Sequence, residues 1–89
     1  MEPVIVSPMI YVLKCEEDKY YIGATYNLNL RIAQHIAGLG AKWTRLYKPK
    51  KIIEVIHEGI TSKTENEVTL RYKELYGSEN VRGGSYCRV

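Results

Sequence analysis

Apolar and polar positions follow different rhythms along this chain, and each rhythm predicts a different element. MIYVLKC at 9–15 is an apolar run too short for a helix and rich in strand formers; the polar EEDK after it gives way to YYIGAT at 20–25. The spacing predicts a hairpin. Strand alternation sets Tyr11 on one face with Leu13, and Tyr21 on one face with Gly23, while Tyr20 points the other way with Ile22. The two adjacent tyrosines therefore cannot share a role.

Beyond the hairpin the period changes. Asn27 offers a side-chain oxygen as a helix cap, and Leu28, Ile32, Ala33, Ile36 and Ala37 recur at helical spacing until the GLG at 38–40. The polar side of this helix carries Arg31 and His35 at i and i+4, so both project from one face. AKWTRLYKPKK interleaves Lys42, Arg45, Lys48, Lys50 and Lys51 with Trp43 and Tyr47, and Pro49 opposes a continuous helix, which predicts a basic loop. KIIEVIHE alternates and is rich in β-branched residues, predicting a third strand from Lys51 to Glu58. In TSKTENEVTLRYKELYG, Ser62 or Thr64 is a candidate cap with Glu65 or Glu67 as its capping-box partner. Val68, Tyr72, Leu75 and Tyr76 form the apolar stripe there, and Gly77 ends the helix. The tail SENVRGGSYCRV has turn chemistry at Gly83 and Gly84 and room for a short edge strand. The fold class is α/β (α+β): a three-stranded, mostly antiparallel sheet flanked by helices in the order β-β-α-β-α.

Composition narrows the setting. Eighty-nine residues, of which 45% are hydrophobic, suit one folded domain spanning 1–89 with one modest core. A net charge of +3 suits a polyanion partner without requiring one. The start MEPVIVSPM carries an acid and two prolines, so neither a signal peptide nor a membrane span is expected, and the chain is read as soluble and intracellular: cytoplasmic, or nuclear in a eukaryotic or viral setting. Cys15 and Cys87 lack metal-site spacing and are expected as free thiols. The acidic run Glu16, Glu17, Asp18 is expected as a solvated turn.

The ordered set of Tyr11 closing MIY, Tyr21 opening YIG, Arg31 and His35 on the next helix, the GLGAKWT stretch and a late acidic helix resembles the GIY-YIG nuclease domain. The resemblance spans about residues 9–80, with Met9 standing where the family name has glycine, and the ending YGSENVRGG looks like a subgroup of small family members. It implies a metal-dependent DNA endonuclease that hydrolyses phosphodiester bonds, with DNA repair or recombination as its setting. Tyr11 would act as general base or orient the water, and Tyr21 would hydrogen-bond the phosphate or the first tyrosine. Arg31 would hold phosphate oxygens, and Glu65, or alternatively Glu67, would ligate Mg²⁺ or Mn²⁺. Phosphodiester hydrolysis needs a proton acceptor, positive charge for the transition state and help for the leaving oxygen, and these side chains supply that set. His35, Lys42, Trp43, Arg45 and Arg82 are the expected nucleic-acid contacts, the cations against phosphates and Trp43 against an unpaired base. DNA is the expected partner, with a protein partner as a source of specificity. The alternative is a module on the same scaffold that binds nucleic acid without cutting it.

Overall fold

The run MIYVLKC forms strand β1 (Met9–Cys15) and YYIGAT forms β2 (Tyr20–Thr25), joined by a single 3₁₀ turn at Glu16–Asp18. They pair antiparallel in a register that sets Tyr11 opposite Gly23 and Leu13 opposite Tyr21. The computed structural model describes residues 8–88. The acidic turn is exposed, as the sequence implies, with Lys14 Nζ 3.9 Å from Asp18.

Asn27 caps helix α1 (Leu28–Ile36) by accepting a hydrogen bond from the Leu30 amide at 3.1 Å. The basic segment departs from the expected loop: Lys42–Leu46 forms a short helix, α2. Trp43 anchors this helix to the sheet: it is buried and donates from Nε1 to the Tyr20 carbonyl at 3.0 Å. Strand β3 then runs Pro49–Ile56, two residues earlier than the alternation predicts at each end. Proline is tolerated there because it is the first residue of an edge strand.

Helix α3 (Thr64–Tyr76) ends at Gly77, as predicted, but neither Ser62 nor Thr64 caps it. Thr64 Oγ1 instead accepts from the Thr61 amide in the preceding turn at 2.8 Å. Val68 and Tyr72 form its buried stripe, whereas Leu75 is 65% exposed.

A fourth strand, β4 (Val81–Gly83), lies parallel to β2, so the sheet has the order β3-β1-β2-β4 rather than three strands. Both faces of the central strands are covered, which is why β1 reads as a continuous apolar run. On one face Ile10, Val12, Tyr20, Ile22 and Val81 meet Val68 and Tyr72 of α3. On the other, Tyr11, Leu13, Cys15 and Tyr21 meet Trp43, with Leu28, Ile32 and Ala41 packed alongside. Tyr20 stacks on Tyr76 with ring centroids 4.2 Å apart, on the face away from Tyr21. Cys15 and Cys87 are separate thiols, the first buried and the second exposed.

Trp43 is thus a core residue, 4% exposed, and not an open stacking platform. Trp43→Ala is expected to cost about 3–5 kcal/mol of stability. Urea denaturation checks this; a loss below about 1 kcal/mol, the range of surface substitutions, would contradict its placement.

Candidate active site

Strand pairing brings the two tyrosines of the hairpin onto one face. The Tyr11 ring lies across Gly23, so closely that a Cβ at position 23 would stand 2.3 Å from the Tyr11 hydroxyl oxygen. Glycine in YIG is therefore a packing requirement of the Tyr11 ring. The Tyr11 and Tyr21 ring centroids are 6.4 Å apart, and the His35 ring lies 5.7 Å from the first and 5.2 Å from the second.

His35 departs from its expected place on a solvated, nucleic-acid-facing side. It is 1% exposed, while Ile36, expected in the apolar stripe, is 68% exposed. Leu28, Ile32 and His35 follow an i, i+4, i+7 spacing, a signal in the sequence that the polarity of histidine masked. Burial is tolerated because both ring nitrogens are satisfied: Nε2 lies 2.7 Å from the Tyr11 hydroxyl and Nδ1 lies 2.8 Å from Thr44 Oγ1.

The direction of these bonds follows from counting protons. Thr44 has one hydroxyl proton and donates it to the Ala41 carbonyl at 2.9 Å, so toward His35 it must accept. His35 then carries its proton on Nδ1, and its Nε2 accepts from the Tyr11 hydroxyl; this tautomer is assigned from the hydrogen-bond chain. The Tyr11 proton is aimed at an imidazole lone pair.

Electrostatics agree with a neutral ring. Burial, reinforced by the charge of Arg31, holds the His35 pKa down at about 4. Burial likewise raises the Tyr11 phenol above its usual range, opposed by the Arg31 guanidinium. Tyr21 is raised too, by burial first and then by Tyr11, with Arg31 again opposing. Arg31 itself is half-buried on α1 and donates to Gln34 Oε1 at 3.1 Å.

A stability consequence follows from His35. The unfolded chain takes up a proton on this histidine near pH 6.5, whereas the folded chain resists until about pH 4. The folded pKa is depressed, so the contribution is complete above the unfolded value and is lost as pH falls toward the folded one. Between pH 7 and pH 5 this amounts to about 2 kcal/mol. Urea titrations at the two pH values should show that loss, and His35→Gln should remove it; an unchanged pH response in the variant would refute the assignment.

Glu65 approaches from the other layer. It sits in the first turn of α3, and its Oε2 accepts from the Gly84 amide at 2.9 Å. Gly84 has φ +51°, in the left-handed region, and a Cβ there would come 2.0 Å from Asn66 Oδ1, so the glycine lets the turn after β4 close against α3. The Glu65 charge contributes to the raised pKa of both Tyr11 and Tyr21. Glu67 is exposed, and its charge figures at neither tyrosine.

Tyr11, Tyr21, Arg31 and Glu65 are therefore drawn into one electrostatic neighbourhood, with His35 inside it. Lys42 and Arg45 are exposed on α2, continuing through Lys48 to Lys50 and Lys51 on β3. Arg82 is half-buried, its guanidinium 4.4 Å from the centroid of the Trp43 ring. Thr44 is a site residue that sequence reasoning missed, because a lone threonine in a basic stretch carries no signal.

The family model for the GIY-YIG catalytic domain matches residues 7–81. The chain belongs to the GIY-YIG family. It is 41% identical to a UPF0213 protein of Staphylococcus haemolyticus over 56 residues, 63% of this chain and 66% of that protein. It is 45% identical to one from Streptococcus pneumoniae over 56 residues, 63% of this chain and 54% of that protein. With the UPF0213 protein YazA of Bacillus subtilis the identity is 34% over 77 residues, 78% of this chain and 76% of the relative. The chain thus spans between about half and two thirds of the length of the first two relatives. No solved structure matches it. GIY-YIG domains form a nuclease family with nucleic acid as substrate. No helix among the described residues is long and apolar enough to cross a membrane.

The metal that such domains typically use can be tested against the donors present. Among the described residues no three His, Cys, Asp or Glu side chains converge on one point. Mg²⁺ does not need such a cage: it keeps several waters and is commonly held by one or two carboxylates together with substrate phosphates. Glu65, with Oε1 outside its bond to Gly84, fits that mode.

Proposed function

We propose that the chain, as one intracellular domain, is a metal-dependent DNA endonuclease of the GIY-YIG type. The convergence of Tyr11, Tyr21 and Arg31 with the Glu65 charge carries this reading. Arg31 pairs with the non-bridging oxygens of the phosphodiester, where negative charge grows. Tyr21 donates a hydrogen bond to the same group. Tyr11 accepts a proton from the attacking water, or orients that water, while its own proton passes along the existing bond to His35 Nε2. A free phenolate is then unnecessary, which suits a phenol whose pKa burial has raised. A phosphate paired with Arg31 also offsets the charge that keeps His35 neutral, so Nε2 takes up the proton more readily. Glu65, rather than Glu67, would hold Mg²⁺ or Mn²⁺, which supplies charge stabilisation at the leaving oxygen when bound. Lys42 and Arg45 engage flanking phosphates, and DNA repair or recombination, with a protein partner adding specificity, is the setting that suits a small nuclease module.

One observation favours the second reading, a module that binds without cutting: Tyr11 is 0% and Tyr21 7% exposed, so neither ring lies open to solvent. Incubation with supercoiled, branched and single-stranded DNA, in Mg²⁺, in Mn²⁺ and with chelator, separates the two. Metal-dependent cleavage of any form is the expected result; salt-sensitive binding with no cleavage of any form would establish the second reading instead.

A further inference from the structure

A cavity of about 490 Å³ opens at the β4 edge of the sheet, outside the tyrosine cluster. Lys73, Arg82 and Arg88 line it with Ser85 and Tyr86, against one carboxylate, Glu79. It is an open groove rather than an enclosed chamber, with a volume in the range of small-ligand sites.

Two of the three cations, Lys73 and Arg82, are tethered to backbone carbonyls, while Arg88 is exposed. Lys73 Nζ donates to the carbonyls of Ser78 at 3.0 Å and Val81 at 2.8 Å, which accounts for two of its three protons. Arg82 is held by its ring contact with Trp43, by Nη1 bonds to the carbonyls of Ser78 and Val81, and by an Nε bond to the carbonyl of Arg88. Among the described residues, Arg82 Nη2 and the Arg88 guanidinium have no acceptor, and the third Lys73 proton has none either. Burial and the neighbouring Arg82 charge depress the Lys73 pKa, a like-charge cost that a bound anion would relieve. Tyr86, 40% exposed, presents an aromatic face 5.8 Å from Lys73 Nζ.

The cavity also has a fixed relation to the candidate active site. Arg82 pairs in register with Tyr21 across β4 and β2. The turn that begins at Gly84, which Glu65 holds, continues into Ser85 and Tyr86 of the cavity wall. One turn therefore separates the two places.

We propose that this cavity is a nucleoside-phosphate subsite, with the phosphate against Arg82, Arg88 and Lys73 and the base against Tyr86. Guanidinium groups suit phosphate oxygens, and an aromatic face suits any base. The proposal rests on the nucleic-acid reading but not on cleavage. Strand phosphate and free nucleotide share this chemistry, and the test distinguishes them.

The full chain, isotope-labelled and kept in chelator so that no cutting intervenes, is titrated with inorganic phosphate, thymidine 5′-monophosphate and a short single-stranded oligothymidylate while amide NMR signals are followed. Shifts are expected at Lys73, Arg82, Ser85, Tyr86 and Arg88. A mononucleotide that binds as tightly as the oligonucleotide identifies a free-nucleotide site; a tighter oligonucleotide identifies a strand subsite. Arg88→Glu, whose side chain makes no hydrogen bond among the described residues, should weaken binding about tenfold or more and leave signals outside the cavity in place. Lys42→Glu, on the separate basic surface, should leave the cavity shifts with phosphate and the mononucleotide intact. Oligonucleotide shifts confined to 42–51, cavity shifts indifferent to Arg88→Glu, or no cavity shifts with any of the three probes would overturn the proposal. Absence of cleavage in the Mg²⁺ and Mn²⁺ incubations, with these shifts retained, would count against the nuclease reading and not against the subsite.

Discussion

Arg31→Ala should lower the rate of Mg²⁺-dependent DNA nicking by about 10²- to 10³-fold, the usual cost of removing one charge-stabilising group from a reaction centre. Stability should move by about 1 kcal/mol or less, because the bond to Gln34 is partly exposed and the Tyr11 hydroxyl, which Arg31 also faces, keeps its partner His35. The two readouts must diverge. Initial nicking rates at saturating metal, set beside urea denaturation of the same preparations, check this. A variant that nicks at the parental rate would remove Arg31 from the transition state.

Tyr11→Phe separates chemistry from packing in a different way. The ring, which covers Gly23 and faces Tyr21, is retained, and only the hydroxyl that bonds His35 Nε2 is lost. Nicking should fall about 10²- to 10⁴-fold, as for removal of a proton acceptor. Stability should also fall, by about 1–3 kcal/mol, because His35 Nε2 is left buried without a donor. His35 should then show an altered imidazole NMR signal, which a residue that only fills space would not produce. Retention of the parental rate with a lowered stability would make Tyr11 a structural partner of His35 and nothing more.

Local signals carried most of the framework. The hairpin, the Asn27 cap, the order of the main elements and the glycine after α3 each depend on neighbouring residues, so a periodic pattern or a capping oxygen announces them. The remaining parts depend on distant contacts: the tail has room for a short edge strand, but its partner and direction are set by residues far away in the chain. Strand β4 is three residues long and exists because it pairs in parallel with β2, some sixty positions earlier in the chain. Helix α2 has five residues, too few for a period to show, and is secured by Trp43 reaching the Tyr20 carbonyl.

The candidate site divides along the same line. Alternation separates Tyr21 from Tyr20, the family resemblance pairs Tyr21 with Tyr11 across the hairpin, and Arg31 is expected in the site from its place after the hairpin. His35 and Trp43 were set outside because polarity and a basic neighbourhood argue for solvent. The structure buries both: His35 finds Tyr11 and Thr44, and Trp43 finds a backbone carbonyl. Glu65 and Glu67 both lie in the first turn of α3, and the proposed preference for Glu65 gains support from its charge, which alone of the two figures at the tyrosines.

The most direct test of the central claim sets the parent, Glu65→Gln and Glu67→Gln side by side on supercoiled plasmid, each in Mg²⁺, in Mn²⁺ and with chelator. Nicked circles are expected from the parent and from Glu67→Gln in either metal, with none from Glu65→Gln and none in chelator. Nicking by Glu65→Gln at the parental rate, or nicking by the parent that persists in chelator, would contradict the account.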